Sequence, residues 1–209
     1  MLTVVEDADP GMPRRWEDAA RITTSEIFDA ADAAMGDLDT NGMLELHEHF
    51  EGMINTSDLF KESSAGPGPM YWADEFKILG AIAAAGGMKN AGINSTAVED
   101  VLRSVSAAGA GSTTEQKNTI FDSWMSRELV TTTLIKKQND YGHNNVARFG
   151  RNGLLVRIHD KIARLKNLQK PGKSTKNESV TDTYIDIVGY SAIGIMWERN
   201  WFMLPLGVD

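Results

Sequence analysis

Gly153-Leu-Leu-Val-Arg-Ile-His-Asp-Lys-Ile-Ala-Arg-Leu-Lys-Asn-Leu168 places Leu155, Ile158, Ile162, Leu165 and Leu168 three or four residues apart. That spacing gathers them on one face of a helix, while Arg157, Asp160, Lys161 and Arg164 fall on another. A helix with an apolar stripe needs neighbours, and the flanking sequence reads as helix as well. Upstream, Glu115 to Gln138 carries Phe121, Met125 and Leu129 at intervals of four, followed by Leu134 and Ile135. Downstream, the polar loop Pro171-Gly-Lys-Ser-Thr175 leads to a helix over Glu178 to Glu198 and an apolar tail, Trp201-Phe-Met-Leu-Pro-Leu206.

The N-terminal half continues the pattern. Residues 1 to 22 hold Pro10, Pro13 and several acids without a sustained period, which reads as a loose arm. Thr24 or Ser25 caps a helix reaching Met35, and a second helix runs from Leu44 to Ile54. Ser63-Ser-Ala-Gly-Pro-Gly-Pro69 breaks regular structure. Trp72 to Ala85 reads as an apolar helix stopped by Gly86-Gly87, and Ser95 to Ala107 as a further one. Ala108-Gly-Ala-Gly-Ser-Thr-Thr114 is the expected linker between a helical N-terminal region, 1–110, and a helical domain, 115–209. Almost no alternating pattern suggests a strand, so the expected fold is all-α, a helical bundle with a helical N-terminal extension.

Composition narrows the chemistry. Apolar residues make up 42% and charged residues 24% of the 209, an ordinary globular balance. No cysteine is present, which leaves oxygen and histidine as the available metal ligands. No apolar run approaches the roughly 20 residues a membrane span needs, and Met1 to Arg15 is acidic where a leader would be basic then apolar, so the expected location is the cytoplasm. A net charge of -8 argues against direct nucleic-acid binding. The average hides a basic stretch: Lys136, Lys137, Arg148, Arg151, Arg157, Lys161, Arg164, Lys166, Lys170, Lys173 and Lys176 stand against only Asp140 and Asp160. Such a segment suits an anion.

Within the last helix Glu178, Asp182 and Asp186 are spaced four apart and share a face. Each like-charge pair costs roughly 0.2–0.5 kcal/mol on an exposed helix. This helix is apolar nearly all round, so the carboxylates need positive charge beside them. Two remedies exist. A divalent cation can bind the three acids, with Asp160 joining them. Alternatively Arg157, Lys161 and Arg164 of the preceding helix form ion pairs with them, and Glu178 favours the helix N-terminus. A second element, Asn139-Asp-Tyr-Gly-His-Asn-Asn145 with Arg148-Phe-Gly-Arg-Asn-Gly153, uses glycines for tight turns, and His143 and His159 read as polar contacts.

Three blocks in order carry a resemblance: Asp140-Tyr-Gly-His-Asn-Asn145 with Phe149-Gly; Gly153-Leu-Leu-Val-Arg157 through Asp160-Lys161 to Arg164-Leu; and Asn177-Glu178-Ser-Val-Thr-Asp182-Thr-Tyr-Ile-Asp186-Ile-Val-Gly-Tyr190, closing on Met196-Trp197 and Leu204-Pro-Leu206. Over roughly the last 95 residues the chain resembles phage-encoded MazG-like, or nucleotide-modification-associated, proteins. The resemblance implies an all-α bundle of MazG-like type acting in the host cytoplasm. Its activity would be a nucleoside triphosphate pyrophosphohydrolase, cutting NTPs or dNTPs to monophosphate and pyrophosphate with Mg2+ or Mn2+. It further implies a homo-oligomer. Carried onto this sequence, Glu178, Asp182 and Asp186 become the catalytic acids and, with Asp160, the metal ligands. Arg157, Lys161 and Arg164 hold phosphates, and Lys137, Asp140, Tyr141 and Asn145 frame the nucleotide. Better-studied members carry a Glu-x-x-Glu and a Glu-x-x-Asp pair on adjacent helices, a pattern this domain lacks, so nucleotide binding without turnover stays open.

Outside the resemblance, Asp37-Leu-Asp39-Thr-Asn41-Gly42-Met43-Leu-Glu-Leu-His-Glu48 matches a twelve-position EF-hand loop, with Asp37, Asp39, Asn41, Met43 and Glu48 as Ca2+ ligands. A tight Asn-Gly turn between two helices is the structural reading of the same string. The rival function is therefore a non-catalytic helical interaction protein, calcium-stabilised, docking an acidic partner. Magnesium dependence mapping to Asp182 would mark the enzyme, and a calcium-only rise in melting temperature abolished by Glu48→Gln would mark the rival.

Overall fold

The computed structural model describes residues 11–34, 38, 42–56, 69–90, 114–175 and 178–207. Among the described residues the chain forms seven helices and no strand: α1 (Trp16–Ala34), α2 (Met43–Thr56), α3 (Pro69–Asn90), α4 (Thr114–Tyr141), α5 (Asn144–Ala147), α6 (Gly150–Leu168) and α7 (Val180–Glu198). None of them is long and apolar enough to cross a membrane. The expected helix over 95–107, most of the linker 108–114 and the EF-hand positions Asp37, Asp39 and Asn41 lie outside the described residues.

The last helix of the bundle, α7, is its axis. It packs most extensively on α3, and α6, α1 and α4 cover its other sides. An all-round apolar helix has no face to give to water, and here Tyr184, Ile187, Val188, Ala192, Ile195 and Met196 are all buried. The N-terminal region and the C-terminal domain distinguished in the sequence share one apolar cluster, running from Trp16 of α1 to Phe202 of the tail. The tail returns to α1: Trp16 N donates to Pro205 O at 2.9 Å, Gly207 N donates to Glu17 Oε1 at 2.8 Å, and the Trp16 and Phe202 rings meet edge to face. Two bidentate pairs brace α7, Arg151–Glu198 from α6 at 2.7 Å and Arg199–Glu26 from α1 at 2.9 Å.

Several sequence expectations are corrected. Helix α1 starts eight residues before Thr24, and Trp16, expected in a loose arm, is fully buried. Neither Thr24 nor Ser25 is a cap, since both lie inside α1, where the buried Thr23 and Thr24 donate their hydroxyls back to the carbonyls of Ala19 and Ala20. The Thr24 hydroxyl also meets that of Thr131 at 2.8 Å, joining α1 to α4. Helix α3 does not stop at Gly86-Gly87 but continues to Asn90. On α4, Leu129 is 49% exposed and Val130 2%, so the buried face runs through Val130, Thr131, Leu134 and Gln138. The stripe of α6 is as expected, with Leu155, Ile158, Ile162 and Leu165 buried.

The tight α3–α7 contact depends on two glycines. A Cβ on Gly80 would lie 2.9 Å from Ile27 and Ser191, and one on Gly194 would lie 2.5 Å from the Phe76 ring. Gly194→Ala should therefore overpack the interface and lower unfolding free energy by about 1–3 kcal/mol in urea titration. Gly52→Ala, on α2 with open space around it, should raise it by about 0.5–1 kcal/mol. Equal effects of the two substitutions would refute this account of the interface.

Candidate functional site

Helices α4, α6 and α7 cross with α5 between them, and a cleft opens where they meet. Its walls are Val130, Thr133, Leu134, Lys137, Gln138 and Tyr141 of α4, Asn145 and Val146 of α5, Arg157 of α6, and Ile185, Asp186, Gly189, Tyr190 and Ile193 of α7. The space is about 550 Å3, its open mouth included. Chain geometry explains the convergence. Gly142, with a φ of 64°, ends α4, and its N donates to Gln138 O at 2.7 Å. The chain then turns back through α5, and His143 Nε2 lies 3.0 Å from Leu204 O, pinning that turn to the tail. The interior is apolar, through Val130, Leu134, Val146, Ile185 and Ile193, and one rim is charged.

Lys137 and Asp186 line both this cleft and an adjoining depression that contains Glu178 and Asp182. Asp186, mostly buried, receives Lys137 Nζ at 2.8 Å on Oδ1 and Lys161 Nζ at 2.5 Å on Oδ2. Burial alone would push its carboxyl up, but the hydrogen bonds and charges of the two lysines outweigh it and hold the group below the usual carboxylate range. Burial opposes the charge of Lys137 and Lys161 in the same way, and the bond to Asp186 holds each above the usual lysine range. Lys161 also reaches Glu178 Oε1 at 3.2 Å, and Arg164 Nε lies 3.7 Å from Glu178 Oε2. The Arg164 guanidinium further donates to Thr183 Oγ1 and to the carbonyl of Glu178.

The helix begins at Val180 and not at Glu178 as expected, so Glu178 precedes the Ser179 cap and only Asp182 and Asp186 of the evenly spaced acids belong to α7; the three have different employments. Asp182 closes the helix N-terminus: Ser179 N and Oγ donate to its Oδ2 at 3.0 and 2.7 Å, and its own N donates to Ser179 Oγ at 3.0 Å. The string Ser179-Val-Thr-Asp182 has the spacing of this reciprocal cap, a signal that the even spacing of the acids masks. Asp160 stands apart, 74% exposed beside His159. Among the described residues no three acid or histidine side chains converge as a metal cage. Glu178, Asp182, Asp186 and Asp160 as placed therefore do not fit a preformed magnesium centre built from protein ligands alone.

Of the expected nucleotide-framing residues, Lys137, Tyr141 and Asn145 line the cleft, whereas Asp140 is exposed and not among its walls; of the expected phosphate-holding residues, Arg157 lines it, while Lys161 and Arg164 do not. Arg157 donates to Asn145 O at 3.3 Å, and its guanidinium lies 5.8 Å from the Tyr190 ring centroid. Gln138 and Tyr190 were not foreseen. For Gln138 the signal was available: it continues the 130/134/138 spacing onto the buried face, where a carboxamide needs a reason. Gln138 Nε2 and Asn145 Oδ1 are both buried without a hydrogen-bond partner among the described residues, an arrangement that costs about 1–3 kcal/mol for each unsatisfied group. Elsewhere, Glu45, Glu48, His49 and Glu75 line a depression between α2 and α3 that shares no residue with the cleft, and His49 Nε2 is 3.0 Å from Glu75 Oε2. In the EF-hand-like string, Met43 is buried and Glu48 exposed.

The ion-pair network sets a pH window. A carboxyl depressed on folding contributes stability that is complete above the unfolded aspartate value of about 3.9 and is lost as pH falls through the folded value. Lysines raised on folding contribute below about 10.4 and cease to do so as pH climbs through their folded values. Asp186→Asn should therefore melt lower than the wild type at pH 7, with the gap closing as pH drops below about 4. A gap that stays constant into strong acid would mean that Asp186 carries no charge-dependent stability.

Comparison with known proteins bears on the same stretch. No curated protein and no solved structure matches the chain. Residues 137–197, from the lysine on the cleft rim to the penultimate residue of α7, match the family model described as nucleotide modification associated domain 1.

Proposed function

We propose that the chain is a nucleoside triphosphate pyrophosphohydrolase whose substrate lies with its base in the apolar cleft and its phosphates over the charged rim. The observation that carries this reading is the shared Lys137–Asp186 edge, where an apolar cleft lined by Lys137 and Arg157 adjoins a depression whose acids Asp186 and Glu178 are paired with Lys161 and Arg164. Apolar walls with a few placed polar groups suit a base, and clustered Lys and Arg suit its phosphates. The family match over 137–197 supports a nucleotide-related role in general terms.

Magnesium enters this reading as part of the substrate. It commonly stays on nucleotide phosphates and takes only one or two protein carboxylates, so a full protein cage is unnecessary. Asp182 is the acid best placed to meet such a complex, because the Ser179 bonds fall on Oδ2 and do not involve Oδ1. Water would cleave the α–β anhydride, leaving a monophosphate and pyrophosphate. The homo-oligomer implied by the resemblance belongs to the same proposal.

Binding without turnover is a second reading, favoured by one feature. Both oxygens of Asp186 are held by lysines, and Glu178 is paired with Lys161 and Arg164, so two of the three acids are already neutralised. Pyrophosphate release from each NTP and dNTP with magnesium, measured beside Asp182→Asn, separates the readings. Asparagine keeps the cap acceptor while removing the charge, so a loss of about 100-fold or more in a folded variant is expected of the hydrolase. Calorimetric binding without release would select the second reading, and absence of both would reject the nucleotide site.

A further inference from the structure

We infer that Gln138 and Asn145 read the edge of the nucleobase, making this pair of carboxamides the base-specificity determinant of the cleft. The inference rests on the nucleotide reading above and adds the residues that would choose among nucleotides. Three observations converge on it. Gln138 is only 3% exposed, on a helix face otherwise given to Val130, Thr131 and Leu134, and its Nε2 has no partner. Asn145 Oδ1, contributed by a different helix, is likewise buried and unpartnered. Both residues line the same cleft, whose remaining interior is apolar.

A nucleobase answers that environment. Its faces are apolar enough for contact with Val130, Val146, Ile185 and Ile193, and its edge carries hydrogen-bond donors and acceptors side by side. A carboxamide offers one of each, which is why Asn and Gln pair with base edges in two-point contacts. An aliphatic ligand would leave both amide atoms unsatisfied, whereas a base can satisfy them from one ring. Arg157 donates to the backbone carbonyl of Asn145, which brings that cation to the boundary between the base and phosphate regions. Neither amide atom meets solvent, so the cleft must widen for a base to reach them. Its rim consists of side chains able to yield: Tyr141 is 67% exposed and Lys137 about half exposed.

Isothermal calorimetry of the full chain with each nucleoside triphosphate, and with inorganic tripolyphosphate as a base-free probe, tests the assignment. The wild type is expected to bind one base at least tenfold more tightly than the others. Gln138→Leu, which fills the same space without polar atoms, is expected to reduce that preference by about tenfold or more, to leave tripolyphosphate affinity unchanged, and to melt no lower than the wild type. Asn145→Leu supplies a second, independent loss of preference. An undiminished preference in both folded variants would overturn the inference while the nucleotide site stands. Equal binding of every nucleotide and of tripolyphosphate by the wild type would overturn it too, leaving a phosphate site. Failure of the wild type to bind any of these probes would remove the nucleotide reading itself.

Discussion

Covering α7 is the constraint on which the rest of the structure depends. A helix with apolar side chains on every side is stable in water only when other helices enclose it, and α1, α3, α4 and α6 do so. Enclosure creates an electrostatic problem, because Asp186 sits in the second turn of that helix with its side chain mostly buried. An uncompensated buried carboxylate is costly, and Lys161 from α6 and Lys137 from α4 supply the compensation. The pairing ties both neighbouring helices to α7 at one level, and the cleft opens beside that tie.

Polar and apolar demands divide the site into two halves. On the charged side, every functional candidate also has a structural role: Asp182 caps α7, Glu178 anchors Lys161 and Arg164, and Asp186 binds two lysines. Pairs of this kind orient helices more than they stabilise them, since desolvation cancels much of the attraction. On the apolar side, Gln138 and Asn145 present polar atoms that nothing among the described residues satisfies. Folding alone gives no reason for them, and that makes them the most informative groups in the cleft.

The region matched by the nucleotide-modification-associated model contains most of the cleft's lining but not all of it. Val130, Thr133 and Leu134, on the preceding turns of α4, complete the apolar wall, and α1 holds those turns in place through the Thr24–Thr131 contact and the Arg127–Asp29 pair at 2.8 Å. Helices α1 and α3 thus act on the site indirectly, by fixing the backs of α4 and α7. The N-terminal half is part of the scaffold of the cleft even where it contributes no lining residue.

The amino-acid sequence by itself determined the all-helical class, the amphipathic stripe of α6, the apolar character of α7 and the concentration of basic residues opposite its acids. These properties follow from local periodicity and charge, which do not need the chain to be folded to be read. Through a resemblance to a nucleotide-handling family it also singled out Lys137, Tyr141 and Asn145 as nucleotide-framing candidates and Arg157 as a phosphate-holding one, four residues that line one cleft. Only the tertiary structure decided that Val130 and not Leu129 faces inward, that α3 runs through its paired glycines, that Asp182 caps while Asp186 takes two lysines, and that two buried carboxamides meet in one cleft. The physical reason is that burial and hydrogen-bond partnership depend on the angle and closeness at which helices cross. Side chains distant in the chain set those quantities jointly, and no single segment encodes them.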